Sequence, residues 1–456
     1  MDIRKKSYFS FRSHIKIPDN SVINTKLRQD GYFQRLCSSV DTTYKNGGCC
    51  LMLLLTYNNR HLPMYYNPLY KEYAPVFNRK HVSKFLNRLK VYSRRKGYCS
   101  YKYFICMEYG EDTKRQHYHL MLFVEDSSFY KEYVDMVRSI WSENLNYGFV
   151  FPDKKVGSYD KALMRSKEGG SSYCSKYVTK DVAYIGEPRV VRLREYYKYL
   201  MDNKKYDKAL SVLRLFPRVM QSNGIGADLL LQLNANFKEC VKNGILNPIT
   251  KSYAPIPEYI KNKYFYNTVL AFDGRKSKRT DKPLYDRILK ASEYDYIYYH
   301  LSKIDRLALK YYNLLVLDIK SEFDITSLSS TFGNINIMDI CKRLVIFRNF
   351  SSLYSFNMLE YVKSFDDFFN LDIVKKYLIL QSDTYSRFLE RSKQCIYSNI
   401  LTNFYEYLPV FQLMKDTIKF LDERLESEYE ERILHNEESY KLKKSNSEKK
   451  YPVNLC

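Results

Sequence analysis

Nine residues, CCLMLLLTY at positions 49–57, constrain the fold of this chain more than any others. They follow a Gly47-Gly48 pair and lead into Asn58-Asn59-Arg60-His61-Leu62-Pro63, a turn-rich exit. An uninterrupted apolar run of strand length between chain breakers is the pattern of a buried central strand. Residues 101–107 and 116–124 read as two more strands, joined by a polar hairpin loop over 111–115. Asn78 suits the cap of a helix reaching about residue 96, whose apolar stripe is Val82, Phe85, Leu86 and Leu89. A helix over 129–141, a short strand over 147–151, a Gly/Ser/Lys-rich loop over 157–172 and a further helix complete the order. Strand, helix, strand, strand, helix, strand, helix predicts an α+β fold. Its core is a central antiparallel sheet with helices on one face and the other face left for a site.

The third strand opens with Gln116-His117-Tyr118-His119. Strand residues two apart point to the same face, so the imidazoles of His117 and His119 project side by side. By itself, His-x-His reads equally well as two hydrogen-bonded histidines at a strand start. The second strand continues into Glu108-Tyr109-Gly110, and the hairpin brings Glu108 toward the pair. Two imidazoles and a carboxylate suit Mn²⁺ or Mg²⁺ with positions left for phosphate oxygens. His61 either approaches this site or stays in a surface loop. Read as a helix, residues 173–180 put Tyr173, Lys176, Tyr177 and Lys180 on one face, at i, i+3, i+4 and i+7. Cys174, Val178 and Val182 form a separate apolar stripe. In a chain with 46 tyrosines, such a pair also reads as plain surface.

The net charge of +23 points to a polyanionic partner and salt-sensitive binding. The excess gathers at the N-terminal side: residues 1–200 carry 35 Lys and Arg against 19 Asp and Glu, and residues 51–100 carry 10 against 1. Lys80, Lys84, Arg88, Arg94 and Arg95 crowd the polar faces of the Asn78-capped helix. With Arg115, beside the histidines, they are the candidate DNA-binding residues. The 10 cysteines show no C-x-x-C pair and no zinc spacing, which suits reduced thiols in a cytoplasm. No run of 18 apolar residues predicts a membrane span, and residues 1–10 lack the apolar core of a secretory signal. No phosphate-binding P-loop occurs, Gly224-Ile225-Gly226 being a turn.

The expected organisation is an N-terminal segment (1–45), polar and irregular with a short helix near 31–38, then a nuclease-like domain (46–190). An accessory helical and basic region (191–280) completes the DNA-binding part. It includes the aromatic stretch 255–266, which serves either strand binding or packing, and a basic linker at 274–282. A mainly helical C-terminal domain (281–432) and a disordered tail (433–456) follow.

Taken in order, Leu54-Leu55-Thr56-Tyr57, Glu108 with His117-Tyr118-His119, and Tyr173-x-x-Lys176-Tyr177-x-x-Lys180 resemble the HUH endonuclease superfamily. Within it, the chain looks like the two-tyrosine replication initiators of microviruses. The resemblance spans about residues 45–270. It departs from many relatives in lacking a Cys-rich segment before the first strand. It implies that His117, His119 and Glu108 hold a divalent metal, Mg²⁺ or Mn²⁺, against a scissile phosphate. Tyr173 and Tyr177 would then be the nucleophiles, and Lys176 or Lys180 would steady the phosphate. A phenol with a pKa of about 10 is only about one part in a thousand ionised at neutral pH, so such help is required. The product would be a 5′-phosphotyrosine and a free 3′-OH that primes rolling-circle synthesis on single-stranded origin DNA. Host helicase and polymerase would be partners, in the host bacterial cytoplasm, with no membrane. A transposase or relaxase of the same superfamily, a nuclease using metal-activated water, and a non-catalytic single-strand-binding protein are the competing expectations.

Overall fold

The computed structural model describes residues 22–110, 114–153, 158–180, 187–270, 285–317, 333, 335–350, 369–380 and 408–450. The chain forms two compact units, residues 1–261 and 262–456.

The first unit opens with α1 (Val22–Lys45) and β1 (Cys49–Tyr57), followed by the hairpin β2 (Met64–Asn67) and β3 (Glu72–Pro75). Next come α2 (Arg79–Arg95), β4 (Tyr101–Tyr109), β5 (Gln116–Val124), α3 (Tyr130–Arg138), β6 (Gly148–Phe151), α4 (Ser158–Ala162) and α5 (Lys167–Lys180). After them lie α6 (Pro188–Asp202), α7 (Tyr206–Leu213), β7 (Met220–Gln221), α8 (Asp228–Ala235) and α9 (Phe237–Asn243). A small ribbon, β8 (Ile245–Leu246) with β9 (Tyr253–Ala254), precedes α10 (Glu258–Phe265).

The main sheet has the order β6-β1-β5-β4-β7, with every pairing antiparallel. The predicted central strand is β1, buried along nearly its whole length between β5 and β6. Register sets out the two faces. Leu51, Leu53, Leu55, Ile105, Tyr118, Leu120 and Leu122 belong to one core, and Cys50, Phe104, Cys106, Met121 and Phe123 to another. Because alternate residues of the inner strands are apolar on both sides, both faces need cover. α2, α3 and α6 close the first face, and α1 and α5 the second. The expected one-sided arrangement of helices is therefore replaced by helices on both faces.

α2 matches the sequence reading closely. The Asn78 side chain accepts a hydrogen bond from the Lys80 amide, and Val82, Phe85, Leu86 and Leu89 are buried. Burying each such side chain contributes roughly 1.5–3 kcal/mol against about 1 kcal/mol for a cap, so packing rather than capping holds this helix. α6 is tied to the β2–β3 hairpin by Arg192, whose Nε and Nη2 both donate to the Glu72 carboxylate at 2.6 Å.

Three local expectations are corrected. The N-terminal segment is no short helix in an irregular stretch: 24 residues form α1, and Leu36 and Val40 enter the core. Much of the 157–172 loop is helical, in α4 and the start of α5. The aromatic stretch 255–266 packs: Tyr259 lies under the Arg35 guanidinium at 4.2 Å and Ile260 is buried.

The second unit contains the ribbon β10 (Tyr266–Leu270) and β11 (Tyr285–Leu289), then α11 (Glu293–Tyr312), α12 (Ile337–Phe350), α13 (Leu371–Leu380) and α14 (Leu408–Lys450). Asp422 of α14 joins two partners, accepting from Tyr311 Oη and from Arg348 Nε, each at 2.7 Å. The tail expected to be disordered from residue 433 instead continues α14 to Lys450. The 274–282 linker and Val182 lie outside the described residues. Among the described residues no helix is long and apolar enough to cross a membrane.

Candidate active site

Two rungs of the sheet carry the site. In one, Thr56 of β1, His117 of β5 and Glu108 of β4 are register partners across three strands. In the next, Leu54, His119 and Cys106 are partners. Partners in an antiparallel ladder point to the same face. The expected gathering of Glu108, His117 and His119 on one face is therefore what the register produces. Gly110 and Arg115 close the turn between the strands, Gly110 N–H donating to the Arg115 carbonyl at 2.8 Å.

His119 Nε2 donates to Glu108 Oε2 at 2.7 Å, and both side chains are only 8% exposed. His117 is half-buried, packed over Gly110: a Cβ there would lie 2.8 Å from His117 Cε1. Burial lowers the pKa of His117, with His119 adding to the effect and Glu108 opposing it. The imidazole is therefore neutral at neutral pH, the form that can donate a lone pair.

α5 crosses this face. Its apolar stripe is as expected, Cys174 and Val178 entering the same core as Phe104 and Met121. Gly170 allows the close approach, since a Cβ there would meet Met164 side-chain atoms at 2.8 Å. Tyr173 is 41% exposed, and its ring stands edge-on to His119 with centroids 5.2 Å apart. Lys176, one turn on, is exposed. Tyr177 and Lys180 belong to α5, their side chains lying outside the described set.

The donor set suits a divalent cation by residue type and by face. Yet among the described residues no three His, Cys, Asp or Glu side chains converge closely enough to hold one. His119 Nε2 and the Glu108 carboxylate, which would be ligands, are bonded to each other. Ion and hydrogen bond are thus alternatives at this centre.

The basic candidates fall elsewhere. α2 packs on the Tyr118 face, away from His117 and His119. Lys80, Lys84, Arg94 and Arg95 are exposed on it, and Arg88 Nη1 donates to the Asn144 carbonyl at 3.2 Å. Arg115 donates to the Tyr57 carbonyl (2.7 Å) and to Asn59 Oδ1 (2.6 Å), tying the start of β5 to the end of β1. His61 stays in its loop, its Nδ1 3.1 Å from Asn58 Oδ1.

Sequence reasoning passed over Thr56 and Gly110. Thr56 Oγ1 is buried without a hydrogen-bond partner beside His117. A polar residue ending an apolar run, two strands from a carboxylate, was the available signal. Beneath the site, on the other face, Asn78 Nδ2 donates to His81 Nε2 (3.0 Å). This leaves His81 Nδ1–H for Tyr57 Oη (3.2 Å), which is 2.9 Å from Tyr118 Oη.

An antiparallel sheet carrying a His–Glu pair under an exposed tyrosine has the parts for chemistry on a phosphodiester. Residues 50–182, which span that sheet and α5, match the family model of the replication-associated proteins of the ORF2 type. The match supports a role in the initiation of DNA replication. No curated protein and no solved structure gives a match.

Proposed function

We propose that this chain is a rolling-circle replication initiator of the two-tyrosine HUH type, like those of microviruses, which nicks and rejoins single-stranded origin DNA. The observation that carries the reading is the 5.2 Å approach of Tyr173 to His119, itself hydrogen-bonded to Glu108, inside the matched segment. Tyr173 Oη, or Tyr177 Oη one helical turn on, attacks phosphorus and loses its proton to solvent. The P–O3′ bond breaks, and the 3′ oxygen takes up a proton, leaving a 5′-phosphotyrosine and a 3′-OH. His117, His119 and Glu108 would hold a divalent cation, Mg²⁺ or Mn²⁺, which supplies Lewis acidity toward the phosphate. Lys176 and Lys180 offset charge on the phosphate oxygens. The covalent link conserves the phosphodiester energy, so joining needs no nucleotide. Unwinding and synthesis fall to host helicase and polymerase.

The test is incubation with single-stranded origin DNA and Mn²⁺, then mass spectrometry of peptide–oligonucleotide linkages. The expected product is a 5′-phosphotyrosine at Tyr173 or Tyr177; free 5′-phosphates without adduct would indicate hydrolysis by water instead. One observation favours a second reading, a single-strand-binding protein without catalysis: the buried His119 and Glu108 satisfy each other. Such a protein binds equally in EDTA and forms no adduct.

Gly110→Ala tests the site more locally. The added methyl displaces the His117 ring, a side-chain end, rather than the backbone. Adduct formation should fall roughly tenfold to a hundredfold, as for a misplacement near 1 Å. Circular dichroism should stay that of the parent; an unchanged cleavage rate would remove His117 from the machinery.

A further inference from the structure

The sheet edge next to the histidines carries two aromatic rings that the proposed chemistry does not use. β6 pairs with β1 so that Phe149 is the partner of Thr56 and Phe151 of Leu54. The two rungs therefore read Phe149–Thr56–His117–Glu108 and Phe151–Leu54–His119–Cys106. Both phenylalanines lie on the histidine face. Phe149 is 56% exposed and Phe151 46%, whereas Val150 between them is buried on the opposite face. Two phenyl rings left in solvent on one strand gain nothing from folding, and neither has a polar tip to hydrate. The strand that bears them is held in place: Arg138, itself only 3% exposed, donates from Nη2 to the carbonyls of Pro152 and Asp153, each at 2.8 Å.

A second observation points to a ligand at the same place. Thr56 Oγ1, next to Phe149 in the rung, is buried and has no hydrogen-bond partner. Leaving a buried hydroxyl unpaired costs about 1–3 kcal/mol, a cost that a ligand atom resting there would relieve.

We propose that Phe149 and Phe151 form a stacking platform for unpaired bases next to the phosphate bound at His117 and His119, with the Thr56 hydroxyl donating to the same nucleotide. The occupant is single-stranded nucleic acid. Phe149 is two strand spacings from His117, about 10 Å, a distance suited to a base neighbouring the reactive phosphate. Aromatic faces take any base, so the platform positions the strand rather than reading its sequence. The chain's charge of +23 supplies the attraction that brings a polyanion to it. The inference rests on the nicking reading for what the strand is doing there, not for whether it binds.

The experiment measures binding of the full chain to a fluorescein-labelled origin oligonucleotide, alongside oligonucleotides carrying 2-aminopurine at successive positions around the nick. In the parent protein, 2-aminopurine at one or two adjacent positions should be quenched. Phe149→Ala and Phe151→Ala should each weaken binding about tenfold, restore that fluorescence, and keep the parent's salt dependence, since no charge is lost. Phe149→Trp should bind at least as tightly as the parent. Thr56→Val should weaken binding several-fold while the melting temperature holds or rises, which a purely structural hydroxyl would not do. Parent-like affinity and quenching in Phe149→Ala/Phe151→Ala would overturn the platform while adduct formation still upheld the nicking reading. Loss of adduct chemistry in the parent, with binding still sensitive to the two rings, would sink the nicking reading and keep the platform. A change of sedimentation rather than of DNA affinity in the double variant would assign the edge strand to a second copy of the chain.

Discussion

Changing Tyr173 and Tyr177 together to Phe is expected to eliminate the covalent protein–DNA adduct. Phenylalanine keeps the ring, and with it the edge contact to His119. Only the nucleophilic oxygen goes, so the loss should be roughly a thousandfold or more in rate while DNA affinity stays within about threefold. The single variants carry the finer information. Two tyrosines one turn apart allow the second to cut a regenerated origin while the first still holds the earlier end. Each single change should therefore permit one cleavage and block repeated turnover. Gel-resolved adduct assays on single-stranded origin DNA, with multiple-turnover reactions beside them, read both effects. An adduct persisting in the double variant would place the nucleophile elsewhere. Full turnover with one tyrosine missing would favour a relaxase or transposase of the single-tyrosine kind.

The second large effect concerns the His–Glu pair. His117→Ala and His119→Ala should each abolish cleavage and leave most of the salt-sensitive DNA binding intact. The two should differ in stability. Removing His119 leaves the Glu108 carboxylate buried without the partner at 2.7 Å, at a cost of about 1–3 kcal/mol. His117 is half-buried, and its loss should cost less. Glu108→Gln separates structure from chemistry, because an amide oxygen still accepts from His119 Nε2 while the negative charge is gone. That variant should melt close to the parent yet bind Mn²⁺ at least tenfold more weakly by titration calorimetry and form no adduct. Mn²⁺-dependent nicking that survives in either alanine variant refutes the metal role.

The sheet was legible because its strands announce themselves by length and by breakers: Gly47-Gly48 before β1, the polar turn between β4 and β5. The convergence of Glu108, His117 and His119 on one face followed from alternation and a hairpin, and the β4–β5 register has the three so disposed. α1 was illegible because its buried band is largely polar. Gln34, Arg35, Ser38 and Ser39 are buried among Leu36, Cys37 and Val40, so no apolar stripe stands out. The start of α5 was missed because Gly169-Gly170 reads as loop, when the missing Cβ of Gly170 is what admits Met164. The face on which α2 packs was not readable either. Both faces of β5 are apolar beyond the histidines, so no local pattern says which side receives a given helix. The same ambiguity hid Phe149 and Phe151, whose exposure depends on β6 being the last strand of the sheet. Beyond residue 433, a charged helix with little to bury looks in sequence like an unfolded tail.

The position of α2 divides labour within the first unit. Its exposed cations, Lys80, Lys84, Arg94 and Arg95, stand behind the sheet, and the tyrosine stands in front. A nucleic acid touching both has to round the rim, so grip and cut are exerted on different nucleotides of one strand. Tightness of hold and speed of scission can then drift apart under mutation, and a short oligonucleotide that reaches only the front will be cut without being retained.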